Sequence, residues 1–370
     1  MNIGGHGATM MSEIDFQQRG ILAQAGDIRS QSNSHNQGED GMKVTIKDIA
    51  KRAGVTYGTV SRALNGDPRV RLATREKIAA LAEEMNYIPN LAAKRLTERL
   101  SSCIGFVCPE LHGYFISHLC KGLQKEADKR EFSLLTSSTD AESALRVLTE
   151  HFVDRILLWA VPEWVPTERF YRAVSHVRGQ FVVVGGANID GVHRISIDRK
   201  DAIYKAVHHL AASGHNRIMF IGDETDKLTG FTLGLLDFQM QYRPEWIITT
   251  ARHDAGTIAE RLDRLLHIPS LERPTALVVD SHGFLLQVLH VIRNRGLKVP
   301  QDLSLIVYDN IPEMEQLYDV PLTSVGPDIK DLVMRSMDLL TDDSLLLPGA
   351  EWQEVGIESR ITERASVRKI

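Results

Sequence analysis

The sequence predicts an α/β protein in which a small all-helical module precedes a larger body of parallel sheets flanked by helices. Three short helical patterns follow one another between residues 43 and 89, and strand-like and helix-like stretches alternate over residues 101–370. The charge is divided in the same way: residues 1–42 carry a net −3, residues 43–100 a net +6 and the remainder −8. A basic module joined to an acidic body indicates that the module meets a polyanion.

The composition excludes several classes of protein. With 370 residues, of which 43% are apolar and 25% charged, the chain can build one or two sizeable cores. No apolar run approaches the roughly 18 residues of a membrane span, and residues 1–41 lack the apolar segment of a signal peptide. Cys103, Cys108 and Cys120 form no CxxC pair and cannot all form disulfides. Collagen, coiled-coil, membrane and secreted disulfide-rich proteins are therefore excluded, and we expect a cytoplasmic protein.

The domain boundaries follow from changes in pattern along the chain. Residues 1–42 are polar and without periodicity, so we expect a disordered arm or the product of an upstream start codon. Residues 43–89 form the helical module, residues 90–100 a linker, and residues 101–370 the body.

The helical module begins with two short helices. The first is predicted over Ile46–Ala53, where Thr45 and Asp48 can form a capping box and Gly54 can take a left-handed conformation at the end. The second is predicted over Tyr57–Leu64, with Thr56 as its N-cap. After a turn at residues 65–68, a third helix is predicted at about 72–86, with these residues on one face: Ile78, Leu81, Ala82 and Met85.

In the body, strand-like and helix-like stretches alternate, and this alternation predicts parallel sheets built from right-handed βαβ units. Its strand candidates are residues 104–107, 133–135, 156–159, 181–184, 218–221, 247–249, 276–279 and 303–307. Its helix candidates are residues 116–129, 201–212, 256–266, 285–295 and 328–340. About eight strands can make either one barrel or two doubly wound lobes.

The second helix has the side chains of a DNA-reading helix. Two short helices with a tight turn make a helix-turn-helix, which places the start of its second helix in the major groove. Val60, Ala63 and Leu64 should face the module's core, and the outward residues should be Tyr57, Gly58, Thr59, Ser61 and Arg62. Hydroxyl groups suit phosphate oxygens, and an Arg fork suits guanine. The alternative is a plain helical hairpin with a polar surface.

Ordered motifs along the whole chain resemble the lactose/galactose repressor (LacI/GalR) family. In the module these are VTIKDIA (44–50), AGV (53–55), TVSR (59–62), TREK (74–77) and NYIPN (86–90). In the body they are SGHNRI (213–218), RGLKVP (295–300), YDNIP (308–312), PLTSV (321–325) and ERAS (363–366). The resemblance spans about residues 43–368 and implies a two-lobed body like that of periplasmic binding proteins. It also implies a homodimer that binds a pseudo-palindromic DNA operator.

The resemblance assigns DNA contacts to the module. Three residues hold base-reading positions: Tyr57, Gly58 and Arg62. Six hold positions near phosphates: Thr45, Thr56, Thr59, Ser61, Asn65 and Arg69. Gly58 departs from relatives that carry a side chain there, so discrimination at its base pair should be weak or supplied by Tyr57. Arg71 stands where relatives often have a Ser or Thr cap, and it could contact a phosphate instead.

The linker matches the family's hinge helix, which pairs with a second copy over the minor groove. In isolation the segment is too short to be a stable helix. Leu96 matches the leucine that wedges into a base step, Ala93 the position of close approach, and Lys94 adds charge in the groove. The alternative for Leu96 is a linker leucine that covers the body.

Contacts to a small-molecule effector are implied between the two lobes. The matching positions are Tyr114, Phe115, Asn188, Lys227, His253 and His282, and the alignment is loose at Asn188 and His253. Lys227 replaces an Arg that commonly clamps the ligand, and His282 replaces an Asp. We therefore expect a cationic site that favours an acidic or phosphorylated, sugar-like ligand. The alternative roles are packing for the two aromatic residues, a solvated surface position for Lys227 and helix capping for His282.

The predicted function is that of a sequence-specific DNA-binding transcription regulator, expected to act as a repressor and to be controlled by a small-molecule effector. A pure periplasmic binding protein would need a signal peptide and no basic module. An enzyme on an α/β fold would be expected to show a catalytic motif, and the sequence contains no GxSxG, GxxxxGK[ST] or HExxH. We therefore expect no enzymatic activity, no cofactor and no metal. The last residues lack leucine heptads, which favours a dimer over a tetramer.

Overall fold

A computed structural model describes residues 44–87, 101–109, 111, 113–186, 189–249, 255–269, 272–316, 318–347 and 349–370. The chain divides into two compact units, Met1–Lys94 and Arg95–Ile370, which are called the headpiece and the body below. Among the described residues, no helix is both long enough and apolar enough to cross a membrane.

The headpiece is a bundle of three helices: α1 (Ile46–Ala53), α2 (Tyr57–Leu64) and α3 (Leu72–Glu84). Its core is small and apolar, with these residues buried: Ile49, Ala50, Ala53, Val60, Ala63, Val70, Ile78 and Ala82. Gly54 ends α1 in a left-handed conformation, with φ of 72°, and this lets the chain turn sharply into α2. The two predicted short helices are confirmed to the residue, and the third ends two residues earlier than predicted.

The body contains two six-stranded sheets. The first consists of β1 (Cys103–Val107), β2 (Ser133–Ser137), β3 (Arg155–Ala160), β4 (Phe181–Gly185), β5 (His193–Ile197) and β11 (Glu354–Ile357). The second consists of β6 (Ile218–Ile221), β7 (Ile247–Ile248), β8 (Ala276–Val279), β9 (Ser304–Tyr308), β10 (Thr323–Pro327) and β12 (Ser359–Thr362). The strand orders are β11-β5-β4-β3-β1-β2 and β12-β10-β9-β8-β6-β7.

All neighbouring strands are parallel except β12, which runs antiparallel to β10. The register in the middle of the first sheet places Val183 beside Leu158 and Arg194. Because both faces of the central strands are covered, these strands are continuous apolar runs, as β4 and β8 show.

Nine body helices lie among the described residues. They are α4 (Tyr114–Lys129), α5 (Ala141–Glu150), α6 (Glu168–Val174), α7 (Arg199–Ala212), α8 (Thr225–Asp237), α9 (Ala255–Leu266), α10 (His282–Asn294), α11 (Glu313–Gln316) and α12 (Ile329–Thr341). One core cluster lies between the first sheet and α5 and α6, and a second lies between the second sheet and α7 and α8. A large cluster extends through both lobes.

The chain passes three times between the two lobes. It leaves the first lobe after β5, returns after β10 to place α12 on the first sheet, and crosses again between β11 and β12. Neither lobe is therefore a continuous stretch of sequence. Of the two arrangements left open by the alternating pattern, the structure has two lobes, and a single barrel is excluded.

Candidate functional site

The outer face of α2 carries the residues predicted to read DNA. Thr56 caps the helix, because its Oγ1 accepts a hydrogen bond from the backbone N–H of Thr59 at 3.2 Å. Val60 and Ala63 are buried in the headpiece core, and Leu64 packs against it. Tyr57 is 54% exposed at the start of the helix, and Arg62 is exposed one turn later. The surface therefore presents an aromatic ring and a guanidinium group from a short rigid helix.

Several predicted contact residues are free to meet a ligand. Within residues 44–87, no hydrogen bond involves the side chains of Tyr57, Ser61 and Asn65. Thr59 donates to or accepts from Thr56 through its hydroxyl group, at 2.9 Å. At Gly58, a Cβ would meet only the end of the Arg62 side chain at 3.8 Å, so the glycine leaves open space on this face.

Other predicted contacts are already engaged within the headpiece. Thr45 donates from its backbone N and its Oγ1 to Asp48, at 2.8 and 2.6 Å, so the predicted capping box forms around the carboxylate. Arg69 makes an ion pair with Asp67 at 2.7 Å, which lowers the pKa of Asp67 to about 2. Arg62 donates from Nε to the backbone oxygen of Gly58 at 3.0 Å and keeps its two terminal nitrogens available.

Arg71 occupies the N-cap of α3, and its side chain makes no capping hydrogen bond. The first turn of α3 is therefore without a side-chain acceptor, as the sequence predicted. The hinge contacts Ala93, Lys94 and Leu96 lie outside the described residues, so their roles stay predictions.

A cleft between the lobes of the body lies at the carboxyl ends of the strands, where ligands bind in open α/β sheets. The cavity has a volume of about 460 Å³. The first lobe contributes Tyr114, Phe115 and Trp159, whose rings form an apolar wall. The opposite wall is lined by charged residues, most of which lie shortly after the carboxyl ends of strands.

The centre of the charged wall is a buried ion pair. Lys227 is 5% exposed, and its Nζ lies 3.0 Å from Glu224 Oε2. The same nitrogen donates to the backbone oxygen of Asp280 at 2.7 Å and lies 3.8 Å from the centre of the Tyr308 ring. Burial opposes the charge on Lys227, but the carboxylates of Asp280 and Glu224 outweigh it and raise the pKa of the lysine. Lys227 is therefore charged and fully engaged by the protein.

Arg199 and Asp280 complete this network. Arg199 is buried, and its Nε lies 3.3 Å from Glu224 Oε1. Asp280 is 1% exposed, and its Oδ2 accepts hydrogen bonds from the backbone N–H groups of Asp223 and Glu224 at 3.0 and 3.3 Å. Burial raises the pKa of Asp280 to about 6. Gly222 makes this approach possible, because a Cβ there would lie 2.1 Å from Asp280 Cγ.

His282 joins the charged wall to the aromatic one. Its Nε2 lies 2.5 Å from the hydroxyl group of Tyr318, and its ring meets the edge of Tyr114 with the centroids 4.7 Å apart. Burial lowers the pKa of His282, although Asp309 and Glu313 act in the opposite direction. Asp309 itself has a φ of 87°, a strained conformation for a residue other than glycine, and such strain is concentrated at functional sites.

The structure brings together Tyr114, Phe115, Lys227 and His282, four of the six predicted effector contacts. Asn188 and His253 lie outside the described residues. The described part of the lining does not have the expected excess of positive charge. Lys227 is neutralised by Glu224, burial favours neutral His282, and the described lining contains the carboxyl groups of Asp223, Glu224, Asp280 and Asp309 against two basic groups.

The acidic residues of the cleft were missed by motif matching. A position rule would have found three of them, because Asp223, Asp280 and Asp309 each lie within two residues after a strand's carboxyl end, as Arg199 also does. His282 begins α10 and is preceded by Ser281 at the N-cap, so the alternative of His282 as a cap outside the helix is also wrong.

Comparisons with known proteins agree with both units. Residues 45–90 match the family model "Bacterial regulatory proteins, lacI family", and residues 207–367 match the model "Periplasmic binding protein-like domain". Catabolite control protein A of Priestia megaterium is 29% identical over 316 residues, covering 81% of this chain and 92% of that protein. The HTH-type transcriptional repressor PurR of Aliivibrio fischeri (strain MJ11) is 28% identical over 293 residues, covering 76% and 86%.

The fold has a close counterpart among solved structures. The crystal structure of the Lac repressor dimer bound to operator and the anti-inducer ONPF has a TM-score of 0.72 and 24% sequence identity. It covers 88% of this chain and 99% of the Lac repressor chain. The chain therefore has a LacI-family helix-turn-helix headpiece and a periplasmic-binding-protein-like body.

Proposed function

We propose that this protein is a sequence-specific transcription regulator, acting as a repressor, whose affinity for a DNA operator changes when a small molecule binds between the lobes of its body. The observation that carries the proposal is the arrangement of α2. A capped, rigid helix exposes Tyr57 and Arg62 while Val60 and Ala63 fix its orientation in the core.

The charge distribution supports a nucleic-acid partner for the headpiece. Residues 43–100 carry a net +6, and the rest of the chain is acidic on both sides. A basic module attracts the phosphate backbone without regard to sequence, and side chains on the helix then discriminate between bases. Tyr57, Gly58 and Arg62 are the proposed base-reading residues, and Thr56, Thr59, Ser61 and Asn65 the proposed phosphate contacts.

The relatives support a repressor with two kinds of ligand. PurR is named a transcriptional repressor, and the Lac repressor structure holds both an operator and a small anti-inducer. The same structure is a dimer, and we propose a homodimer on a pseudo-palindromic operator for this chain.

Because such a protein acts on bacterial DNA, the proposal places it in the cytoplasm. Under the proposed function, the cleft has a regulatory role rather than an enzymatic one.

The cleft can control DNA binding because it lies between two lobes that the chain crosses three times. A ligand that binds one arrangement of the lobes more tightly shifts the population towards that arrangement. By linkage, a ligand that changes operator affinity has its own affinity changed by the operator to the same extent.

Selection from random duplexes with the full-length protein tests the proposal. The enriched sequence should be an inverted repeat, bound at least about 10³ times more tightly than random duplex at physiological salt. Affinity should fall steeply as salt is raised, because counterions are released from the phosphates. Absence of any salt-sensitive sequence preference would contradict the proposed function.

Two tyrosine variants provide a matched control. Tyr57 is 54% exposed on the headpiece, and Tyr242 is 56% exposed on the body. Tyr57→Ala should weaken binding to the selected operator by about 1–3 kcal/mol, the usual contribution of a base contact. Tyr242→Ala should leave operator binding unchanged. Equal effects of the two substitutions would remove α2 from the proposed interface.

A further inference from the structure

The chemistry of the cleft identifies the class of molecule that it holds, an inference that rests on the proposed function of the cleft as a regulatory site. We propose that the ligand is a small organic cation, a ring that bears a protonated amine or amidine, with the acidic wall of the second lobe as its counter-ion. Three observations lead to this class: the state of the two basic groups, the unpaired carboxylate oxygens, and the aromatic wall opposite.

Lys227 is already satisfied by the protein, and Arg199 lies in an ion pair with the same glutamate. Lys227 Nζ is in contact with Glu224 Oε2, with the backbone oxygen of Asp280 and with the face of the Tyr308 ring. Arg199 is buried behind the same glutamate, with its Nε 3.3 Å from Oε1. An anionic ligand would have to break the contacts of Lys227 to gain that cation. Phosphate and carboxylate groups are therefore poorly suited to this cavity.

The carboxyl groups are less completely satisfied. Asp280 Oδ2 accepts two backbone hydrogen bonds, but Asp280 Oδ1 is buried and accepts none. Glu224 Oε1 likewise accepts no hydrogen bond, although Arg199 lies near it. Both side chains belong to the lining of the cavity and are at most 4% exposed. A buried acceptor without a donor is costly, and a ligand that supplies N–H groups would remove that cost.

The total charge of the wall favours the same ligand. The described lining contains four carboxyl groups, those of Asp223, Glu224, Asp280 and Asp309, against the two cations Lys227 and Arg199. In a cavity that is partly shielded from water, such an excess attracts a positive charge more strongly than it would at the protein surface.

The aromatic wall of the first lobe is the reason for proposing a ring in the ligand. Tyr114, Phe115 and Trp159 from the first lobe face the carboxylates across a cavity of about 460 Å³, which suits a single small ring with substituents. Aromatic side chains pack against apolar surface, and their faces also attract cations. They therefore suit a ligand in which a ring carries a charged amine. Closing the lobes around such a ligand would bring its apolar part and its charge to matching walls at once.

A set of three probes that share one ring tests the proposal: benzylamine, benzyl alcohol and benzoate. Each is titrated into the full-length protein by ligand-observed NMR up to about 10 mM, the affinity range expected for fragments of this size. Benzylamine should bind at least ten times more tightly than benzyl alcohol, and benzoate should show no binding. Equal or tighter binding of the alcohol or the benzoate, or no binding of benzylamine, would overturn the proposal.

Variants locate the binding in the cleft. Asp280→Asn and Asp309→Asn each remove one carboxyl group of the wall and keep its shape, and asparagine tolerates the positive φ of Asp309. Each should reduce the preference for benzylamine over benzyl alcohol by at least threefold. Asp226→Asn is the control, because this carboxylate is exposed in the first turn of α8 and does not line the cavity. An equal loss in the control would show that benzylamine binds elsewhere and would overturn the proposal.

Two further measurements distinguish loss of ligand binding from misfolding and from failure of the proposed function. Circular dichroism establishes that each variant is folded, and if Asp280→Asn is not, Asp309→Asn decides the outcome alone. Operator selection is measured on the same preparations without any probe. Failure of the amine preference with intact operator binding rejects only the ligand class, whereas loss of operator preference in the unmodified protein rejects the proposed function.

Discussion

His118 Nε2 lies 2.9 and 2.8 Å from the two carboxylate oxygens of Glu313, and this contact joins α4 of the first lobe to α11 of the second. Both side chains are partly buried. The same helix places Tyr114 one turn earlier, against His282 of the second lobe. The first turns of α4 are thus the part of the first lobe that holds the cleft in the arrangement described here.

The pair should contribute to the cohesion of the two lobes. In a double-mutant cycle with His118→Gln and Glu313→Gln, we expect a coupling free energy of unfolding of about 1 kcal/mol, as for a partly buried charge-assisted hydrogen bond. The measurement is denaturant unfolding of the four proteins. Coupling within about 0.3 kcal/mol of zero would mean that the contact does not hold the lobes together.

Asp280 should make the stability of the body depend on pH. Burial raises its pKa from 3.8 to about 6, so the folded protein holds this proton more tightly than the unfolded chain. The stabilising contribution is therefore complete below about pH 4 and is lost as the pH rises through 6, by about 3 kcal/mol. Asp280→Asn is neutral throughout. The free energy of unfolding of the unmodified protein, relative to this variant, should fall by that amount between pH 4 and pH 7.

The control for this pH series is Asp226→Asn, whose carboxylate is exposed. The difference between this variant and the unmodified protein should stay constant with pH, within about 0.5 kcal/mol. If the two variants gave the same pH dependence, the effect could not be assigned to burial of Asp280.

Arg71→Ser should stabilise the headpiece. The N-cap of α3 has no side-chain acceptor, whereas Thr56 supplies one to α2. A serine at position 71 should accept a hydrogen bond in the first turn and contribute about 1 kcal/mol. Hydrogen exchange of the α3 amides should slow about fivefold. Arg71→Ala removes the cation without adding an acceptor, so equal protection in both variants would reject capping as the cause.

Leu96→Ala should weaken operator binding without unfolding the body. Residue 96 lies outside the described residues, and the expectation comes from its match to the minor-groove wedge of the family. Fluorescence anisotropy with the selected operator measures the loss, and thermal unfolding of the body shows whether the fold is intact. Unchanged operator affinity would discard the wedge role and favour a leucine that merely covers the body.

Local sequence patterns were sufficient to predict the helices of the headpiece. Each of its first two helices has a capping residue at its start, and each boundary was predicted to the residue. In the body, the apolar strands β6 and β8 were also predicted to the residue, because buried parallel strands stand out as short apolar runs. The expected alternation of strands and helices is confirmed, although the described residues contain twelve strands rather than about eight.

The strands and the helix that the sequence did not predict have weaker hydrophobic patterns. The missed strands β5, β10, β11 and β12 alternate polar with apolar residues, contain few apolar residues or lie at sheet edges, so no continuous apolar run marks them. α8 contains Gly230 and Gly234, which lower its helical propensity but allow close packing against α7. In both cases tertiary contacts outweigh the local preference.

The cleft shows why a residue's type does not determine its role. Lys227 was expected, from its match to the family position, to offer a positive charge to a ligand. Its partner Glu224 lies only three residues earlier, on the same helical face, and the sequence alone did not indicate that the two side chains would turn towards each other inside the cavity. Asp280 comes into the network from another strand, which only the fold brings near.

The three passages of the chain between the lobes affect the order in which this protein can assemble. The first sheet obtains its edge strand β11 from Glu354–Ile357, more than 150 residues after β5, beside which that strand lies. A ribosome must therefore translate as far as Ile357 before the lobe that contains the first sheet can be completed. Contacts so distant in sequence form slowly, and until they form the exposed edge of β5 is open to mispairing with other nascent chains.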